Sequence, residues 1–512
     1  MILSKMFCNK NKKCLINSYK DSGELRYLCR MNKASIIAKS YPFAPTEEQL
    51  RFCSEAANFL SRPNDEACFI LKGYAGTGKT TSVAALVKAL PMFGLKAALL
   101  APTGRAAKVM SNYTQKKALT IHKKIYRKKS AVSMDMVFQL APNLATNTIF
   151  IVDEASMIAD EWSTQNGSSF LGDLLEFVFQ PAPDGSPKNC YLFFVGDTAQ
   201  LPPVGSVDSP ALNPEYLSSN FHLDVTCVEL TEVVRQEKKS GILANATMLR
   251  RLVNDYDEEP HFPKFITKGF KDIFRMTGIK FVEGLEYAYG KYGIENSLVV
   301  CRSNKSANIY NNQIRARLLY RDEELTGGDY IMVVRNNYFW LPDDNETAFI
   351  ANGDMARIIR VRREEERYGF RFAEVALELV DFPDVGAITC KVLLDTLQIE
   401  SPNLPYEASK KLYEGLLLDY EHIVNRKERL LAIKQDPYYN ALQIKFAYAV
   451  TCHKAQGGQW DAVFVDQGFL TEDMVDLDFM RWLYTAVTRA KKELFLVNFS
   501  KDLFAEQMEE EY

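Results

Sequence analysis

The chain lacks any apolar run approaching the roughly 18 residues that a membrane-spanning helix needs, and its N-terminus lacks the apolar core of a signal peptide. It therefore reads as a cytoplasmic protein with no membrane role. Its ten cysteines, at positions 8, 14, 29, 53, 68, 190, 227, 301, 390 and 452, form no CxxC pair and have no histidine at zinc spacing. That excludes a zinc module and a disulfide scaffold, and leaves reduced, mostly buried thiols. A one-signed charge is missing too: the formal net charge is −3 over 512 residues. With no global basic field, a nucleic-acid partner must be held by local basic and polar groups. Tandem repeats and low-complexity tracts are also absent.

What is present is core-forming material, 47% apolar and 12% aromatic, enough for roughly three or four domains. Short apolar runs recur and end in Gly, Asp or Pro-rich turns: "ACFILKG" (67–73), "KAALLAPTG" (96–104), "NTIFIVDEAS" (147–156), "CYLFFVGD" (190–197), "SLVVCRSN" (297–304), "DAVFVDQ" (461–467) and "ELFLVNF" (493–499). Such runs predict buried parallel strands. Helical spacing lies between them, as at Val83, Leu86, Val87 and Leu90. The expected class is α/β, with doubly wound parallel sheets whose ligands bind where strands end.

Two stretches interrupt this rhythm. Residues 123–146 are short and basic. Residues from about 325 begin with β-like "YIMVVRNNYFW" and "GDMARIIRVRR", then turn into a charged helical run before strand "DAVFVDQ" returns. The expected division is an N-terminal extension outside the folded body at 1–40, a first body at 41–225 interrupted at 123–146, a second at 226–324 plus 441–512, and an inserted domain at 325–440. Within 1–40, nine Lys or Arg face only Asp21 and Glu24. Three readings fit: a basic arm, a weak transit peptide, or an upstream read-through with Met31 as the start.

"GYAGTGKTT" (73–81) fits G-x-x-x-x-G-K-[ST] between a predicted strand and helix, the context that motif requires. Gly73, Gly76 and Gly78 let the backbone approach phosphate, with Thr77 and Thr81 in the same loop, and the helix N-terminus adds its dipole. Lys79 is expected on the β- and γ-phosphates and Thr80 on Mg2+. "IFIVDEAS" ends a strand in Asp153, a second metal-side carboxylate, and Glu154, a general base for water. Hydrolysis of ATP is thus favoured over passive binding. No further acidic cluster stands out, which argues against an intrinsic nuclease.

Phosphoryl transfer also needs cations on the γ-phosphate; Arg235 in "LTEVVRQ" and Arg489 in "LYTAVTRAKKE" are the candidates. A helix over 481–490 puts Arg481, Thr485, Thr488 and Arg489 on one face. "VGDTAQLPPVG" (195–205) contributes Gln200, placed to sense or orient the γ-phosphate. Near the C-terminus "TCHKAQGGQW" (451–460) is too polar for a core and too ordered for a linker.

The ordered set "PTEEQ", "GYAGTGKTT", "APTGRAAK", "TIH", "IVDEAS", "GDTAQLPPVG", "VVRQ", "TCHKAQGGQW" and "LYTAVTRA" resembles that of the superfamily 1B helicases, nearest the RecD-like and Dda-like enzymes, over roughly residues 42–500. The resemblance implies two RecA-like P-loop motor domains with ATP between them and 5′→3′ movement on single-stranded DNA. It implies adenine reading by Gln49, coupling of the γ-phosphate to DNA by Gln200, and arginine fingers at Arg235 and Arg489. Thr103 and Thr120–His122 fall in its DNA-backbone motifs, 123–146 at its strand-separating pin, and 325–440 at its small SH3-like domain. Tyr126 and Phe138 are the options for the pin's stacking aromatic. The charged helical stretch at 400–440 exceeds the compact family pattern.

A sliding motor should grip phosphate with short polar groups and leave base edges unread. Thr103, Thr120 and Thr451 suit that, with Asn304 and His453 as further contacts. Lys454 and Gln456 would relay nucleotide state, while Gly457 and Gly458 permit a tight backbone, one of them approaching the γ-phosphate. The expected partners are single-stranded DNA and its junctions with duplex, with recombination or single-strand-binding proteins as further partners of a monomeric motor. Competing readings are a DNA-stimulated ATPase that remodels protein–DNA complexes, a motor subunit of a recombination nuclease, and an RNA-directed motor.

Overall fold

A computed structural model describes residues 33–62, 66–128, 138–163, 168–182, 184–233, 239–256, 262–341 and 349–505. Helix α1 (Glu47–Phe59) opens the first body under a capping box, Thr46 with Gln49. Strand β1 (Ala67–Gly73), helix α2 (Lys79–Ala89), β2 (Lys96–Ala101), α3 (Gly104–Thr114), β3 (Ala118–Thr120) and the short α4 (Ile121–Ile125) follow. A hairpin of β4 (Tyr126–Lys128) and β5 (Phe138–Leu140) precedes β6 (Thr148–Val152), β7 (Cys190–Gly196) and β8 (Asp224–Leu230). The sheet is all parallel in the order β8-β1-β7-β6-β2-β3. Its central strands are unbroken apolar runs because helices cover both faces; Phe69 and Phe193 stack across them with centroids 4.5 Å apart.

After a helix at Gly241–Asn254 that packs into the second body's core, the sheet of that body begins with β9 (Ile273–Met276) and β10 (Ser297–Cys301), followed by α5 (Asn304–Gln313). The chain then leaves for a closed five-stranded barrel: β11 (Tyr330–Val333), β12 (Met355–Arg367), β13 (Phe370–Leu379), β14 (Ala387–Leu393) and β15 (Leu442–Phe446). Register shifts at 358/360 and 361/363 bend the long β12 so that the sheet can close. Helices α6 (Tyr406–Asp419) and α7 (Arg426–Lys434) are the charged stretch noted in the sequence. They bury Leu412, Leu416 and Ile433 against Phe370 and Phe372 of the barrel, a small core of their own. The chain returns through β16 (Ala449–Thr451), β17 (Trp460–Asp466), α8 (Leu477–Val487) and β18 (Ala490–Val497). This second parallel sheet has the order β9-β18-β17-β10-β16.

All seven apolar runs are strands of the two parallel sheets, and the α/β class holds. The barrel extends to Phe446, past 440, because Leu442–Phe446 pairs with β11 and β14. The segment 446–451 is accordingly the end of one strand and, after a break, the start of another. The helix expected at 481–490 starts earlier and stops at Val487, since Ala490 already pairs with Trp460. Residues 33–39, expected outside the body, form a helix with Ile37 fully buried; positions 1–32, including Met31, lie outside the described residues. Among the described residues six cysteines are buried free thiols, Cys227 is an exposed one, and no helix is long and apolar enough to cross a membrane.

Candidate nucleotide cleft and track

The polar residues gather where the two sheets' strand ends face each other. At the end of β1 the loop turns through positive φ at Gly76 (76°) and Gly78 (87°), conformations closed to most side chains. A Cβ on Gly73 would press on Thr77 Oγ1 at 2.8 Å and on Lys79. Thr77 and Thr81 lie in the loop and the first turn of α2, and Thr80 is exposed there. The Lys79 amine donates to the carbonyls of Gly73 (2.7 Å) and Tyr74 (2.9 Å) and lies 3.8 Å from Asp197.

Asp153 follows β6. Its Oδ2 accepts from the Tyr113 hydroxyl at 2.6 Å and its Oδ1 from the Glu154 N–H at 2.9 Å. Burial raises the Asp153 carboxyl above the ordinary range, with those hydrogen bonds and Lys79 opposing. Glu154 sits at φ 53°, an uncommon backbone for a side chain and one that aims its carboxylate into the cleft. Burial raises it too; the nearest counterweight is the charge of Arg489. A charge from the second body thus acts on Glu154 of the first.

Arg489 is buried in the turn after α8, where the guanidinium donates to Thr485 O (2.9 Å), Gly458 O (3.1 Å) and Thr488 Oγ1 (3.2 Å). Tyr484 of the same helix spans the cleft: its hydroxyl accepts from the Ala75 N–H (2.9 Å) and donates to Asp197 Oδ2 (2.7 Å). The next residue, Thr485, accepts at Oγ1 from the Leu201 N–H (2.9 Å), while Gln456 Nε2 donates to Leu201 O (2.8 Å). Arg481 reaches Val207 O (2.6 Å) and Asp208 (3.1 Å). Gln200 is buried with Oε1 unpartnered. Gln49 is fully buried; its Oε1 accepts from the Thr46 N–H and its Nε2 has no partner, a donor free for a purine acceptor. Among the described residues no three His, Cys, Asp or Glu side chains cluster to hold a metal by themselves. Thr80 and Asp153 remain suitable oxygen donors beside phosphate oxygens.

Tyr113 and Tyr484 were not singled out in the sequence; Tyr484, one turn before Thr488 in "LYTAVTR", carried the only signal. Gly458 differs from expectation. Its N–H is already bonded to Ala455 O at 3.1 Å, its carbonyl holds Arg489, and a Cβ there would collide with the Trp460 indole. It braces the arginine, and its own N–H is already engaged. Gly457, at φ 72°, is the residue at the domain contact, a Cβ there meeting Thr103 Oγ1 at 3.2 Å. Arg235 lies outside the described residues.

Along the other rim, short hydroxyl residues end strands and start helices. Thr103 caps α3 at Ala106 N–H (3.2 Å) and Thr120 caps α4 at Lys123 N–H (3.2 Å). Thr451 stands before the turn of Cys452–Ala455. In the second body Ser303, not Asn304, takes the cap position, accepting from Ser306 N–H at 3.1 Å, and Asn304 is the first helical residue. His122 is stacked on Phe170 (4.5 Å) and burial pushes its pKa down to about 4, so at neutral pH its ring is not a cation for phosphate. His453 is exposed, its pKa lowered by desolvation. Tyr126 ties the base of the β4–β5 hairpin to Asp173 through a 2.6 Å hydrogen bond and is not free at its tip. Residues 129–137 and the Phe138 ring lie outside the described residues.

The chain is similar to several known proteins. Residues 54–254 match the family model described as an AAA domain, and 446–497 that of a UvrD-like helicase C-terminal domain. Protein R530 of Acanthamoeba polyphaga mimivirus is 21% identical over 88% of this chain and 98% of its own length. The ATP-dependent DNA helicase dda of Enterobacteria phage T4 is 25% identical over 83% of this chain and 93% of its own. The crystal structure of the Pif1 helicase from Bacteroides with ADP-AlF3 and single-stranded DNA is 14% identical, with TM-score 0.44 over 91% of this chain and 95% of that one. Its ordered motifs converge on one cleft between two parallel sheets, and over most of its length the chain is similar to an ATP-dependent DNA helicase.

Proposed function

We propose that this protein is an ATP-dependent DNA helicase that moves 5′→3′ on single-stranded DNA and opens duplex at a junction. The observation that carries the reading is the bridge across the cleft: Tyr484 of the second body holds both the phosphate loop and Asp197 of the first. A hydrolytic site completed by the second body makes phosphate state and domain position interdependent.

In this mechanism the Lys79 amine exchanges the carbonyls of Gly73 and Tyr74 for phosphate oxygens, and Gln49 Nε2 donates to adenine. Thr80 and Asp153 are the residues to hold Mg2+, which when bound neutralises charge on the phosphate oxygens. Glu154 takes the proton of the attacking water, burial having raised its carboxyl toward that task while the Arg489 charge opposes the rise, and Arg489 stabilises the charge building on the γ-phosphate. Arg235 is the proposed second finger. Gln200 uses its unpartnered oxygen to hold the water or report its loss. Losing the γ-phosphate weakens the Arg489 and Tyr484 contacts, the sheets part, and the helix starts capped by Thr103, Thr120 and Ser303, together with Thr451, shift relative to one another along the DNA backbone. Asn304 and His453 are proposed as flanking contacts.

Lys79→Ala tests the site: DNA-stimulated ATP hydrolysis should fall by about two orders of magnitude or more. Duplexes with a 5′ or a 3′ tail test substrate and direction together. Unwinding from the 5′ tail alone is expected; unwinding from the 3′ tail alone would sink the proposed direction, and ATP hydrolysis without any strand separation would favour a remodelling ATPase.

A further inference from the structure

Among the described residues, the barrel meets the first body in a contact rich in charge. Arg105 on α3 donates to Asp381 Oδ1 at 3.1 Å, and Lys108, one turn on, lies 3.3 Å from the same oxygen and donates to Val380 O at 2.7 Å. Asp354 packs directly over Gly104, so closely that a Cβ there would collide with its Oδ1. Lys123, whose N–H is the one Thr120 caps, holds its amine over the rings of Phe382 (4.4 Å) and Phe349 (5.2 Å), and its charge acts on Asp354. Asp354 and Asp381 are both buried.

These groups do not satisfy one another. Arg105 Nε, Lys123 Nζ, Asp354 Oδ1 and Asp381 Oδ2 are all buried without a hydrogen-bond partner among the described residues. Buried polar atoms in a settled interface are almost always paired, and a half-satisfied network is worse than an apolar one. Four orphans in one contact, two cationic donors and two carboxylate oxygens, mark a contact that gives way to a better one. The cations lie directly beside Thr103 and Thr120, on the rim proposed for the DNA backbone.

We infer that Arg105, Lys108 and Lys123 form a binding site for backbone phosphates of single-stranded nucleic acid, and that the barrel carboxylates Asp354 and Asp381 cover it as phosphate mimics until the strand displaces them. This rests on the track reading above. Displacement would give the orphaned donors a phosphate oxygen and the two carboxylates water, while Arg105 keeps its place 5.0 Å from the Trp460 ring. The barrel then acts as a clasp that must lift before the strand seats.

The test is fluorescence anisotropy with labelled oligothymidine, without nucleotide, on the full chain. Asp354→Asn and Asp381→Asn keep shape and remove the mimic's charge, so each should tighten binding severalfold and the pair more. Lys108→Ala should weaken binding and lower the slope of log affinity against log salt by about one. Unchanged or weaker binding in both Asn variants, with melting temperature retained, would overturn the clasp; a Lys108→Ala slope equal to that of the parent would overturn the phosphate site. If the parent binds no oligothymidine, the track reading fails first, and a parent that binds while the variants do not tighten separates the two failures.

Discussion

Lys454 and Lys445 approach each other beside the returning strand, and burial pushes both amines down to about 8. Each loses charge within reach of ordinary buffers. A phosphate placed near Lys454 favours the charged form, so binding DNA takes up a proton where the free amine is partly neutral. Affinity for single-stranded DNA should be full near about pH 7 and decline as pH rises through about 8. Lys454→Arg, whose guanidinium stays charged, should flatten the profile and leave only the part due to Lys445; a binding titration across that range checks it. At Gly458 the expectation is steric. Gly458→Ala should overpack against Trp460 and cost about 1–3 kcal/mol in chemical denaturation, with ATP hydrolysis falling further because Arg489 loses its brace. These residues differ in how readable they are. Lys79, Thr80, Asp153 and Glu154 stand in contiguous motifs whose strand-to-helix context is local. Tyr484 is invisible in one dimension, since its partners Ala75 and Asp197 lie 409 and 287 positions away.

Among the elements, the buried strands were legible because parallel strands covered on both faces must be apolar throughout. Helix ends were less so. In α8 the sequence pattern runs through Arg489, yet Ala490 is claimed by strand pairing with Trp460, and a strand partner far along the chain decides where a helix stops. The barrel was legible as a change of rhythm, but not its closure, which depends on β15 pairing with both β11 and β14. Helices α6 and α7 share a small core with the outer side of the barrel. Leu416→Ala, at a fully buried position, should cost about 2–5 kcal/mol locally. Hydrogen exchange across 406–434 should accelerate while the DNA-stimulated ATPase rate holds; a matching loss of ATPase would show the appendage to be tied to the motor.

For the whole molecule, the cleft is held by few atoms. Tyr484→Phe removes one acceptor for the Ala75 N–H and one donor to a carboxylate, the latter worth about 1.5–3 kcal/mol. It should raise KM for ATP by about tenfold and slow turnover, while leaving the melting of either body little changed. ATP should in turn draw the bodies together, read as a nucleotide-dependent change in distance between dyes on α2 and β18; a distance indifferent to nucleotide would remove the coupling argued for Tyr484 and Arg489.

The barrel's two ends meet: Ile331 pairs with Phe446, and the Ala447 N–H donates to Tyr330 O at 3.0 Å. Strand β16 begins two residues later and must find β10, Val299 beside Ala449, across more than a hundred residues of intervening chain. Closing so long a loop as a random coil is entropically costly. A barrel that folds first shortens that loop to almost nothing. Assembly order follows: the inserted domain acts as an internal scaffold for the ribosome-late half of the second sheet, and a chain whose barrel closes slowly would leave β10 with an unpaired edge, the exposure that invites aggregation.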